Sequence, residues 1–164
     1  MRRAASVLLV VGLLLTACAA TDTPEPTAQA STPAALKEIA ASYRDLVAPL
    51  DRATCDFNVV LSQSAPALTD LKRGSAEYLA ALATVIDGLR AVPWPSELTQ
   101  DANALMDSLV ADETPTRAMA EADSMSSFIT ADGRLIEANG LSSAAAAQLR
   151  KDLGLPSGEF PCTG

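Results

Sequence analysis

TPAALKEIAASYRDLVAPLDRATCDFNVVL, residues 32–61, decides the fold. Thr32-Pro33 is a helix start: a hydroxyl to cap free N–H groups, then a proline in the first turn, where its missing N–H costs nothing. Beyond it Leu36, Ile39, Tyr43, Leu46, Leu50, Ala53, Phe57 and Val60 recur at alternating steps of three and four. That rhythm draws one apolar stripe along a helix. Pro49 falls inside the stripe and predicts a kink. Cys55 falls off it, placed to be met from outside by another segment.

The same rhythm continues downstream. Ser64-Ala65-Pro66 predicts a second helix, with Leu68, Leu71, Ser75, Tyr78, Leu82, Val85, Leu89 and Val92 as its stripe and Leu79 and Ile86 widening it. Gly74-Ser75 interrupts the apolarity without shifting the phase, so the helix is extended through it. Pro93-Trp94-Pro95 ends it. Ser96 is read as the cap of a third helix carrying Leu98, Ala102, Leu105 and Leu109. Thr114-Pro115 opens a fourth with Ala118, Ala122, Met125, Ile129 and Ile136, which Asp132-Gly133 could kink or split. Asn139-Gly140 reads as a stop, and Ser142-Ser143 as the start of a short fifth helix through Ala146, Leu149 and Leu153. Gly154-Leu155-Pro156 supplies its left-handed cap and a proline. No segment alternates with period two, and β-branched residues are sparse. The expected fold is all-α: a four-helix up-down bundle over residues 34–164, with a short C-terminal helix and a disulfide-pinned C-terminal tail.

Before Thr32 the composition changes. Residues 19–33 hold no large apolar side chain and read as a flexible Thr/Pro/Ala tether. Earlier still, Arg2 and Arg3 precede an apolar run from Val7 to Leu15, then Leu15-Thr16-Ala17-Cys18. The run is too short to span a bilayer, which needs ~20 apolar residues. Charged head, apolar middle and small-residue exit are the parts of a secretory signal. With a cysteine closing it, the segment resembles the lipobox of bacterial lipoproteins. The resemblance implies that residues 1–17 are removed, that Cys18 becomes the lipidated first residue, and that the chain sits on the extracytoplasmic face of a membrane. Taken with the tether, the Leu149-Arg150-Lys151-Asp152-Leu153-Gly154-Leu155-Pro156 ending and a cysteine near each end of the domain, the chain resembles small helical lipoproteins of actinobacteria. That group brings no activity with it.

With Cys18 carrying lipid, Cys55 and Cys162 remain, and two thiols in an exported domain pair most often. Closing so long a loop contributes up to ~4.7 kcal/mol in the chain-entropy model. A redox pair is the alternative reading, without a Cys-x-x-Cys motif to support it.

Charge and composition exclude more than they assign. Of 12 basic and 20 acidic residues, Arg2 and Arg3 lie in the leader, which leaves 10 against 20 and a net charge of −10. Such a surface repels nucleic acid. There is no histidine, which removes Ser-His-Asp and Cys-His catalysis and His-ligated metals. Glu97, Asp101, Asp107, Asp112 and Glu113 cluster without the spacing of a calcium loop and read as a solvated helix face. Met106, Met119 and Met125 read as core fillers rather than copper ligands. Trp94, held between two prolines, could be presented to a partner; the plainer reading is that it caps one end of the core. No catalytic residues, cofactor or metal are expected. The reading is a non-enzymatic envelope lipoprotein whose bundle docks a protein partner. The alternative is a small apolar ligand or lipid held between the helices near Leu50, Phe57 and Leu82.

Overall fold

The computed structural model describes residues 32–156 and Cys162; the leader, the tether up to residue 31 and the proposed lipid site at Cys18 lie outside the described residues. Four helices follow one another: α1 (Pro33–Leu61), α2 (Leu68–Ala91), α3 (Ser96–Ala120) and α4 (Met125–Asp152). Each packs on the next in sequence, α1 on α2, α2 on α3 and α3 on α4, as an all-α four-helix bundle.

The α1 stripe folds as its spacing requires. The Thr32 hydroxyl accepts from the Ala35 N–H at 3.3 Å, and the helix runs unbroken through Pro49. Tyr43, Val47 and Phe57 are buried, with Ile39, Leu46 and Leu50 packed at the core's edge. α2 also passes through Gly74-Ser75. Ser75 is fully buried, and its hydroxyl donates to the Leu71 carbonyl at 2.9 Å, so the polar group is satisfied inside the helix. Ser64 does not cap α2: its N-cap is Ala67, without a side-chain bond. Ser96 is likewise the first residue of α3, behind Pro95, and not its cap.

The second half departs from the sequence reading. α3 does not end before Thr114-Pro115. It continues through Pro115 to Ala120 because Pro115 and Thr116 are buried in the core, and the Thr116 hydroxyl donates to the Asp112 carbonyl at 2.7 Å. Burial there outweighs the backbone hydrogen bond that proline cannot make. The turn falls instead at Glu121–Ser124. Ser124 caps α4 by accepting from the Ser127 N–H at 3.2 Å, while Ser127 returns the bond to the Ser124 N–H at 3.1 Å. This is a reciprocal capping box with serine in the place usually held by Glu or Gln.

α4 then runs through both Asp132-Gly133 and Asn139-Gly140. The short fifth helix expected from Ser142 is the last part of α4. Its end is as predicted: Gly154 takes φ +66°, the Leu155 N–H reaches the Arg150 carbonyl at 2.8 Å, and the Gly154 N–H reaches that of Lys151 at 3.0 Å. That pair of bonds is a Schellman motif.

The core is filled by Leu71, Leu82, Val85, Ile86 and Leu89 from α2, Leu105 and Met119 from α3, and Leu149 from α4, all nearly inaccessible. Each such side chain contributes about 1.5–3 kcal/mol relative to leaving it exposed. Phe57 stacks on Tyr78 with ring centroids 6.5 Å apart. Cys162 is bonded to Cys55 on α1, with Cα atoms 5.2 Å apart. The chain after α4 is thereby fastened to the first helix.

Candidate functional site

Three places could carry function: the outward face of α4, an open cleft beside Trp94, and the buried polar groups along the helix seams.

The α4 face is where the sequence reading inverted. Met125, Ile129 and Ile136 were expected in the core. The buried residues of α4 are instead Phe128, Ala131, Leu135, Ser142 and Leu149. Met125 is 38% exposed, Ile129 61% and Ile136 67%. Moving the helix start from Thr114 to Met125 changes which residues face inward, so a second apolar stripe is left facing out. Gly133 and Gly140 share that stripe, and the sequence 129, 133, 136, 140 steps by four, three and four, the spacing of a helix-packing seam. Among the described residues, a Cβ built on either glycine meets no side chain and no other element within 4 Å.

The cleft beside Trp94 has a volume of about 620 Å³ and opens widely to solvent. It lies between the start of α1 and the end of α2, with Glu38, Ile39, Gly88, Val92, Pro93 and Pro95 among its walls. Trp94 itself is half-buried against the core. Its indole N–H donates to the Leu89 carbonyl at 2.9 Å, satisfying a backbone oxygen at the end of α2. A second cleft of about 240 Å³ lies between α1 and the first turns of α2, lined by Asp56, Asp70, Arg73 and Glu77 with Val60 and Gly74. Neither cleft is lined by Leu50, Phe57 or Leu82.

Sequence reasoning missed the buried polar groups. Asp112, read as part of a solvated acidic face, is fully buried, and both its carboxylate oxygens lack a hydrogen-bond partner. Burial holds its carboxyl above the ordinary carboxylate range. The nearby Ser142 hydroxyl offsets part of this, although its own bonds go to Asn139 at 3.0 and 3.2 Å. Asp112 in turn acts with burial to push the Tyr78 hydroxyl up to about 12.

Asp51 marks a second such group, on α1. Burial pushes its carboxyl up to about 6 against the opposing charge of Arg150. Tyr43 beside them is pushed to about 12, chiefly by burial. Arg150, nearly buried, donates through Nε and Nη2 to the Pro156 carbonyl at 3.2 and 3.1 Å. These residues join α1, α4 and the first residues beyond α4. Opposite charge at Asp51 and Arg150 braces α1 against the end of α4. Ser142, two residues after Asn139-Gly140, and Asp112, following Ala111, carry no local sign of burial, which is why the pattern alone could not find them.

The remaining acidic positions are spread out. Asp101 on α3 meets Asp152 on α4; partial desolvation, then a shared hydrogen bond and the neighbouring charge, raise the Asp101 carboxyl. Gln148 donates to Asp152 at 2.7 Å. Met119 is buried, Met106 is half-buried and Met125 is exposed. Among the described residues no group of three or more Cys, Asp or Glu could hold a metal ion, and no helix is long and apolar enough to cross a membrane. No family model, curated protein or solved structure matches this chain, so its function rests on the residues themselves.

Proposed function

We propose that this chain is a non-enzymatic, lipid-anchored protein of the cell envelope, and that its bundle serves as a docking module on the extracytoplasmic side of the membrane. The observation that carries the docking role is the outward face of α4. A bundle with a packed interior presents Ile129 and Ile136 to water at 61% and 67% exposure on a helix whose inner face is already occupied. Large apolar side chains exposed at i and i+7 along one helix stripe are the anchors a docking partner would use. Anchoring is supported by Leu15-Thr16-Ala17-Cys18 after a short apolar run, and an exported location by the Cys55–Cys162 bridge.

The apolar-ligand alternative needs an enclosed space near Leu50, Phe57 and Leu82. Phe57 and Leu82 are instead buried in the core, with Leu50 packed against it.

Fractionation of cells expressing the chain and its Cys18→Ser variant tests the anchor. The parent should sediment with membranes and carry an acylated Cys18 by mass spectrometry, and the variant should be released folded. A mature N-terminus other than acylated Cys18, or a variant that stays in the membrane fraction, overturns the anchored reading.

A further inference from the structure

We propose that α4 is a homodimerisation helix: its outward face pairs antiparallel with the same face of a second copy, isoleucines entering glycine notches. This goes beyond the anchored docking module and does not depend on the lipid.

The argument starts from what glycine does elsewhere in this chain. On α2, Gly74 and Gly88 are notches for α1. A Cβ on Gly74 would stand 2.7 Å from the Phe57 ring, and one on Gly88 would collide with the Leu46 side chain. Those two glycines are therefore required by a bulky residue on the neighbouring helix. Gly133 and Gly140 also lie inside their helix, away from any turn, yet no other described element enters their notches. Glycine inside a helix is destabilising by roughly 0.5–1 kcal/mol relative to alanine, and nothing among the described residues offsets that. The same face carries two large side chains, Ile129 and Ile136, with no notch to enter.

Order along the stripe identifies the occupant. Ile129, Gly133, Ile136 and Gly140 run large, small, large, small, and reversing the helix direction gives the complement. An antiparallel pair on a twofold axis between Arg134 and Leu135 sets Ile129 opposite the second copy's Gly140 and Gly133 opposite the second copy's Ile136. All four contacts are made at one register, which is the self-complementarity a twofold interface requires. Charge agrees with it. Arg134 and Glu137 lie on the same flank of the stripe, and in this register each comes near the other residue type of the second copy. Neither takes part in an ion pair within the chain among the described residues.

The contact is modest. In this register residues 125–144 of α4 overlap the second copy's α4, a strip about 30 Å long and ~10 Å wide. Roughly 300 Å² per copy is below the standard interface size, so the dimer should be weak and depend on concentration. Confinement of anchored copies to one membrane would raise their effective concentration.

Sedimentation of the chain from residue 18 onward, with Cys18→Ser to remove any lipid, tests this directly. The expected result is a monomer–dimer equilibrium whose mass rises with concentration. Gly133→Leu with Gly140→Leu fills both notches without touching the monomer's own packing. It should leave the circular dichroism spectrum unchanged and weaken the dimer about a hundredfold. Arg134→Glu and Glu137→Arg should each weaken association, and the two together should restore it. A monomer at every concentration overturns the proposal, as does a dimer unaffected by the two leucines. Flotation of a purely monomeric chain with phosphatidylglycerol–phosphatidylethanolamine vesicles would overturn it too, assigning the α4 face to the lipid surface.

Discussion

Two pairs of glycines divide this molecule. Gly74 and Gly88 are filled by Phe57 and Leu46 of α1; Gly133 and Gly140 are open. The same residue type inside a helix therefore does two jobs. In α2 it lets a neighbour approach and locks α1 onto the bundle. In α4 it leaves an unused notch beside unused isoleucines. The difference separates a face finished within one chain from a face that needs another molecule.

The α1 side is also closed covalently, and breaking that closure should have the largest effect. Cys55→Ser with Cys162→Ser should lower the unfolding free energy by about 2–4 kcal/mol in denaturant titrations. It should leave sedimentation at matched concentration unchanged, because the α4 face lies elsewhere. A loss below 1 kcal/mol would mean that helix packing alone holds α1.

Next in size is Gly88→Ala. Its methyl group would overlap the Leu46 side chain, whose branch carbon and both methyls crowd the site. Overpacking costs about 1–3 kcal/mol, against about 1 kcal/mol gained in helix propensity. A net loss of up to about 2 kcal/mol is expected in thermal or denaturant unfolding. A stabilised variant would show that α1 can give way, and would blur the distinction between filled and open notches.

The first half of the fold was legible because one stripe on each helix was also the buried stripe. In α1 the residues at steps of three and four were those that met α2, and even Gly74-Ser75 kept phase. The second half was not, because local breakers lost to burial. Pro115 reads as a helix start, yet its ring is buried in α3. Asn139-Gly140 reads as a stop, yet Ser142 ties back to Asn139 and the helix continues. The true start, Ser124, pairs with a serine three residues on, a weaker signal than Glu or Gln. α4 moreover carries apolar residues on two faces. Nothing in the spacing of Met125, Ile129 and Ile136 tells which of the two faces is inside, so the candidate site was visible as a stripe and misplaced as core. Asp112 and Asp51 depend on tertiary contacts and had no local signature at all.

Those two carboxyls make the bundle interior sensitive to pH. Both are raised in the fold, Asp51 to about 6 from an ordinary value of 3.8 and Asp112 upward by burial. A raised folded value means that the native state holds the proton more tightly than the unfolded chain. For Asp51 the associated stability is full below about pH 4 and lost as the pH rises through about 6. The contribution of Asp51 to the melting temperature should therefore fall between those values. Asp51→Asn should flatten the slope, and an unchanged profile in that variant would remove Asp51 from the account. Asp112→Asn should act in the same direction, and the open face should contribute little to either change.

The smallest effect discriminates best. Gly133→Ala with Gly140→Ala should raise the monomer's stability by roughly 0.5–1 kcal/mol per site, since each methyl meets open space and restricts the unfolded chain. In dilute solution that gain should appear as a higher melting temperature. At concentrations where copies associate, the methyl groups partly fill the notches that the isoleucines would enter, so the gain should shrink as concentration increases. The parent's melting temperature should itself climb with concentration, because association stabilises the folded state by mass action. If the alanine gain is the same at every concentration, Gly133 and Gly140 are not notches for a second copy, and the contrast with Gly74 and Gly88 reduces to one of intrachain packing. A gain that fades with concentration ties these two glycines to association, for no other described element of their own chain stands close enough to explain it.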